Sequence, residues 1–194
     1  MESLDPLKGP LIVTDDMKKI GLENTFLAGF FCSAEFPCPL LQKIETPANQ
    51  RTDVVTDPDS FNQTTPSDIG MLLSDIYQCA ETGGGALIAE FPDKLNSELC
   101  KQMITLLASD KIGVLIEAGV PEGTQVAHKH GWISDPSSLV IQNISDAALV
   151  YTPGGNYVLV IYAYHPVQTV WEPVSALFAQ MSQAVYNYYN LPSP

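Results

Sequence analysis

Val126-Ala127-His128-Lys129-His130-Gly131-Trp132 sets a single cation and a glycine side by side in a stretch that reads as a β-strand. Upstream lies Gly113-Val114-Leu115-Ile116-Glu117-Ala118-Gly119-Val120-Pro121, and downstream come two apolar runs and an amphipathic helix, so Lys129 stands at the start of a C-terminal sheet. Strand geometry puts His128 and His130 on one face and Lys129 on the other. Gly131 leaves room for a ligand against the backbone, and the next amide, that of Trp132, becomes a candidate donor to a developing oxyanion. Lys129 supplies positive potential beside it.

Working outward, residues 1 to 65 are rich in loop formers. Asp15 to Ile20 reads as a short helix, Thr25 to Phe31 is apolar, and Pro37 to Asn62 has the Pro, Asn and Asp density of a long loop. Loops of that length tend to be functional. Thr65, with Pro66 at the first helical position and Asp68 in the first turn, starts a helix whose apolar face is Ile69, Leu72, Leu73, Ile76, Tyr77 and Ala80. Gly83 to Gly85 ends it. A second helix begins near Asn96 and is expected to bury Leu99, Cys100, Met103, Ile104 and Leu107.

Three strands are expected at Gln125 to Ile133, Ala147 to Thr152 and Tyr157 to Tyr164. Pro153-Gly154-Gly155-Asn156 supplies hairpin chemistry between the last two. A helix from about Pro173 to Asn190 closes the chain with a Leu177, Phe178, Met181, Val185 and Tyr188 stripe. Helices, then antiparallel strands, then a helix describe an α+β fold.

At 194 residues, 45% hydrophobic and 16% charged, the chain is expected to form one domain, residues 1 to 194. A formal charge of −13 with nine Lys plus Arg argues against nucleic acid and anionic membrane surfaces as partners. No apolar run reaches membrane-spanning length, so no membrane insertion is expected. Met1-Glu2-Ser3-Leu4-Asp5 lacks the regions of a signal peptide. Cys32 and Cys38 are close enough for a small loop bridge, whereas Cys79 and Cys100 lie in helical patterns and read as buried apolar residues.

Several of these segments together are family-like. Lys129-His130-Gly131 in this layout resembles the Lys-Thr/Ser-Gly strand of serine β-lactamases and penicillin-binding proteins, closest to the class A β-lactamase-like serine hydrolases. Thr64-Thr65-Pro66 resembles the Thr-Thr-Pro that follows the omega loop, and Ile20-Gly21-Leu22-Glu23-Asn24-Thr25 resembles the segment that precedes it. Between them Glu45-Thr46-Pro47-Ala48-Asn49 is similar to the family's Glu-x-x-x-Asn.

The resemblance implies an α+β, β-lactamase/transpeptidase-like fold and acyl transfer from a β-lactam or related amide. Lys129, Glu45 and Trp132 would be catalytic, and His130, Gly131 and Asn49 would bind substrate. Lys129 and His130 would hold the substrate carboxylate, while Glu45 and Asn49 would direct the deacylating water. His130 replaces the usual hydroxyl residue. No metal or organic cofactor is implied, and the substrate expected is a small molecule or peptide carrying a carboxylate.

The family's Ser-x-x-Lys and Ser-Asp-Asn are absent. No serine has a lysine three residues later, and the Ser-Asp pairs at 67, 74, 109, 134 and 145 are followed by Ile, Ile, Lys, Pro and Ala. The chain therefore reads as the C-terminal part of such a domain, a fragment inactive alone, with a complementing N-terminal segment or a homo-oligomer as the macromolecular partner. It would be cytoplasmic if complete and exported if a fragment. Two other readings stay open: a non-catalytic binding or structural protein on the same fold, and a metal-dependent hydrolase using His128 and His130, with His165 as a third ligand. Asp53, Asp57 and Asp59 lack the spacing of a calcium loop and read as turn caps.

Overall fold

In the computed structural model, which describes residues 8–29, 44–55, 61–134 and 140–191, the first described element is helix α1 (Lys8–Lys19). The helix starts earlier than Asp15 because Pro10 is tolerated in a first turn, where its missing N–H has no partner to lose. Lys18 and Lys19 in the last turn complement the helix dipole. Strand β1 (Phe26–Leu27) pairs antiparallel with β2 (Asn62–Gln63), Phe26 opposite Gln63. Buried Thr14 ties α1 to β1, its hydroxyl oxygen taking the Leu27 N–H at 2.8 Å.

Chain contacts define two compact units, Met1–Ile69 and Gly70–Pro194, each taken by itself below. Helix α2 (Pro66–Thr82) contains the boundary. In the second unit follow α3 (Ala86–Glu90), which the glycine run before it had obscured, and α4 (Ser97–Ala108). Asn96 caps α4 by accepting the Leu99 N–H at 2.9 Å, satisfying one of the orphan donors of its first turn. Cys100 and Ile104 are the buried residues of α4, while Leu99 is exposed.

Cys79 and Cys100 are not the lone apolar thiols expected. They form a disulfide across a Cα separation of 5.9 Å, within the span such a bridge needs. The glycine turn after α2 and the cap of α4 bring the two helix ends together, and Ser97 Oγ donates to Ala80 O at 2.8 Å beside the bridge. Cys32 and Cys38 lie outside the described residues.

Strands β3 (Val126–Ser134), β4 (Ile141–Val150, beginning before the expected Ala147) and β5 (Tyr157–Tyr164) form an antiparallel sheet in the order β3-β4-β5, so β3 is an edge strand. The register sets Val126, His128, His130 and Trp132 on one face with Ile144, Asp146, Ala148 and Val150. That face packs on helix α5 (Trp171–Tyr189) and on the segment leading into β3, around a core of Leu115, Ile116, Val126, Ile144, Val150 and Phe178. The opposite face carries Lys129, Gly131, Ser145 and Ala147, and helix α4 lies against β3.

On α5 the expected stripe is corrected. Phe178 and Ser182 are buried, whereas Leu177, Met181 and Tyr188 are exposed, because a 3₁₀ turn at Glu117–Gly119 lies against the line of positions 178, 179, 182 and 183. A Cβ on Gly119 would fall 2.5 Å from Ser182 Cβ and 2.9 Å from Gln183 N, and onto the Ala179 carbonyl. At the other end of α5, Gly154 of the β4–β5 hairpin donates its N–H to Asn190 Oδ1 at 2.9 Å.

Candidate active site

In the second unit the site residues of β3 divide between the two faces of the strand. Lys129 is exposed, and among the described residues its ammonium meets only the His130 carbonyl, at 3.0 Å. Ser145 Oγ reaches across from β4 to the Gly131 carbonyl at 3.3 Å. Gly131 therefore turns its main-chain groups toward β4, and His130 turns its own off the open edge. Main-chain groups of successive residues alternate in an antiparallel edge strand, so the Trp132 N–H points outward with the His130 carbonyl. An outward amide and an exposed ammonium thus stand along one open edge, in a chain of net charge −13. A Cβ at Gly131 would come within 3.3 Å of Ser145 Oγ, so the missing side chain also keeps β3 and β4 close.

The ring of His130 lies on the other face from Lys129. It stacks on Trp132 with centroids 5.2 Å apart and 16° between planes, and Trp132 meets the edge of Trp171 at 5.0 Å. Its Nδ1 sits 3.1 Å from Asp110 Oδ2, without the alignment of a hydrogen bond. Lys129 and His130 consequently do not converge through their side chains on one point.

His128 is fully buried beneath this ladder. Its Nδ1 lies 3.0 Å from Asp146 Oδ1, and its Nε2 lies 3.1 Å from the Asp110 carbonyl, with Glu117 Oε2 at 4.0 Å. Burial pulls the imidazole toward its neutral form, but the hydrogen bond and charge of Asp146, the Asp110 carbonyl and the charge of Glu117 outweigh it, and the pKa is raised. Both ring nitrogens are thus held by protein acceptors. His165 Nδ1 accepts the Val167 and Gln168 N–H groups at 3.2 and 3.1 Å. Among the described residues no three His, Cys, Asp or Glu side chains converge as a metal site, so the geometry gives the His128/His130/His165 reading no support.

In the first unit, Glu45 opens a turn that is built by its neighbours. Thr46 N–H donates to Asn49 Oδ1 at 3.0 Å, and Asn49 Nδ2 donates to the Ile44 carbonyl at 2.9 Å, so both ends of the Asn49 amide shape the loop. Gln63 Nε2 donates to Thr46 Oγ1 and to the Asn24 carbonyl, both at 2.8 Å. Asn24 Oδ1 takes the Ala48 N–H at 2.9 Å. The Glu45 side chain is left exposed. Asp53 in the same loop is bound by Arg51 at 2.6 Å, which with its own backbone N–H holds the carboxyl down to about 2. Asp57 and Asp59 lie outside the described residues.

Sequence reasoning missed the residues that support these groups. Asp68 reads as a first-turn acid, yet it is buried and accepts the Asn24 N–H at 2.8 Å and the Thr25 hydroxyl at 2.9 Å, fixing the segment before the loop to the helix after it. Asp146 lies directly opposite His130 and diagonal to His128. The signal for it was an acid inside the apolar run Ile144 to Val150, which a buried strand tolerates only with a partner.

A search of curated proteins finds no match. Among solved structures, a PBP-A variant in acyl-enzyme complex with penicillin G is 21% identical, with a TM-score of 0.59 and coverage of 93% of this chain and 52% of that one. TLA-1 extended-spectrum β-lactamase is 16% identical, TM-score 0.61, covering 94% and 55%. A representative class A β-lactamase from Bacteroides cellulosilyticus is 18% identical, TM-score 0.60, covering 94% and 55%. The α+β fold is therefore the β-lactamase/transpeptidase-like one, and the chain spans about half the length of each of these three structures. A family model described as the beta-lactamase enzyme family matches residues 12–189, and the chain belongs to that family.

Proposed function

We propose that this chain carries the substrate-holding strand and the deacylation loop of a β-lactamase-like serine hydrolase, acting on a β-lactam or a related amide that bears a carboxylate. The observation that carries the reading is the pairing, on one edge strand, of the outward Trp132 amide with the exposed Lys129 ammonium.

A serine supplied from outside this chain attacks the substrate carbonyl carbon. As that carbon becomes tetrahedral, its oxygen gains the charge for which the Trp132 N–H is a preset donor, needing no reorganisation at the moment of reaction. The ammonium of Lys129 is assigned to the substrate carboxylate, and its field favours each anionic intermediate. The His130 contribution is assigned to its main chain at the open edge, since its ring faces away. The acyl-enzyme is then released by water, which must give up a proton as it adds to the ester carbonyl. Glu45 is the base assigned to that proton, and Asn49 holds the turn that presents it.

The test is intact mass of the purified chain after incubation with a fluorescent penicillin. No serine adduct is expected from this chain alone, because no serine in it has a lysine one helical turn away. Labelling that appears when the remaining half of the domain is supplied supports the hydrolase; penicillin binding without any acylation in the completed domain would instead make this a binding module. In the chain itself, Lys129→Ala should weaken penicillin G binding about tenfold, as expected for loss of a charge-assisted hydrogen bond. Lys94→Ala, at an exposed loop position near the Phe91 ring, should leave it within about twofold. Equal losses in the two variants would sink the role given to Lys129.

A further inference from the structure

We propose that the buried His128–Asp146 pair holds an extra proton, and that His128 with this proton is the positioning residue that keeps the edge strand β3 locked to the segment entering it. The part concerning substrate rests on the function proposed above; the lock itself does not.

Neither partner of the His128 ring, taken as they ordinarily occur, can donate to it. On one side is the Asp146 carboxylate, 3.0 and 3.3 Å from Nδ1; on the other is the Asp110 carbonyl, 3.1 Å from Nε2. A neutral imidazole has one N–H and, at a fully buried ring, would turn a lone pair on an acceptor. The ring therefore carries both protons on the line Asp146–His128–Asp110, one N–H toward each acceptor. The charged groups facing the ring are Asp146 from β4, Glu117 from the 3₁₀ turn and, beyond Glu117 at 3.5 Å, Lys111; His130 on the same strand lies 5.9 Å away, ring to ring. The two acids are the charged groups nearest the ring, at 3.0 and 4.0 Å, which favours the proton.

The same groups bind the segment that leads into β3. Asp146 Oδ2 accepts the Ile116 N–H at 3.1 Å, Glu117 Oε2 accepts the Gly113 N–H at 2.8 Å, and Ser182 Oγ donates to the Ile116 carbonyl at 2.8 Å. This corner contains Leu115, held at φ 58° although it is not glycine, a conformation that persists only when its surroundings impose it. From Asp110 the constraint continues outward to His130, then by stacking to Trp132, whose amide faces the open edge. Removing the proton sets a lone pair against the Asp110 carbonyl or the Asp146 carboxylate, and the segment must shift or admit water.

The experiment follows the His128 ring nitrogens by ¹⁵N NMR from pH 5.5 to 9.5 in the intact chain, together with emission from Trp132 and Trp171, the two tryptophans of the protein. Expected are two protonated ring nitrogens at neutral pH, a midpoint above the ordinary 6.5, and an emission step at that same midpoint. The step should vanish in His128→Gln, and in His130→Gln it should keep its midpoint but lose amplitude, since His130 carries the change to Trp132 without being the group that titrates. A ring with one bare nitrogen at pH 6, or an emission step that persists in folded His128→Gln, would overturn the proposal; if that variant does not fold, the wild-type ring titration alone decides. Penicillin G affinity read across the titration should fall about fivefold or more as the proton leaves. Affinity that stays flat while the emission step occurs would deny His128 its positioning role. No binding at any pH, with the step intact, would remove the hydrolase reading and leave the lock standing.

Discussion

At the scale of single residues, the His128 proton has a thermodynamic consequence with a definite sign. A group whose pKa is higher in the folded chain than in the unfolded one stabilises the fold fully below its unfolded value, near 6.5, and that contribution is lost as pH rises through the folded value. Urea unfolding followed by far-UV circular dichroism should therefore give a midpoint that falls between pH 6 and pH 9, and His128→Gln should flatten that slope. A midpoint rising over the same interval would contradict the assignment. Residue identity was legible here only in part. The sequence placed His128 and His130 on one face of a strand, and it does so in the structure. It could not pair either with an acid, because Asp146 is 18 residues away from His128 and meets it only through strand register.

At the scale of elements, α2, α4 and β5 were readable because each is bounded by local chemistry, Pro66 as a first helical residue, Asn96 as a cap and Pro153 to Asn156 as a turn, whereas β4 begins at Ile141 rather than at the expected Ala147. What is buried on each helix was less so. The α5 stripe of Leu177, Met181 and Tyr188 has the right period, yet those side chains are exposed, since periodicity reports a face and not what covers it. The covering element is the Glu117–Gly119 turn, a three-residue piece with no period to detect. Its seat on α5 requires a residue without a Cβ. Gly119→Ala should destabilise the chain by about 1–3 kcal/mol, the usual range for overpacking a closed contact. Thermal unfolding checks it, with Gly113→Ala, which opens onto free space but has φ of 65°, separating lost conformational freedom from lost room.

At the scale of the molecule, the Cys79–Cys100 bridge is the long-range constraint least visible in the sequence, since the close spacing of Cys32 and Cys38 drew the pairing signal while Cys79 and Cys100 sit in separate helical patterns. It closes a loop of 21 residues, for which chain-entropy arguments give about 3 kcal/mol. Cys79→Ala/Cys100→Ala should lower the urea midpoint by a corresponding amount, and unfolding in reducing buffer should show the same loss for the parent chain. If reduction leaves the midpoint unchanged, the bridge is not a stabilising element. Buried disulfides form and persist where thiols are oxidised, so folding yield should be higher in an oxidising compartment than in a reducing one.

The open edge of β3 has one more consequence. A row of outward N–H and C=O groups can receive a strand from a neighbouring molecule, and natural sheets blunt such edges with charge, lysine above all. Lys129 folds its ammonium over the His130 carbonyl, covering one of those acceptors. Its replacement by an uncharged residue thus removes a guard against self-association together with the ligand contact proposed for Lys129, and lost binding in Lys129→Ala carries meaning only at protein concentrations where sedimentation shows the variant still monodisperse.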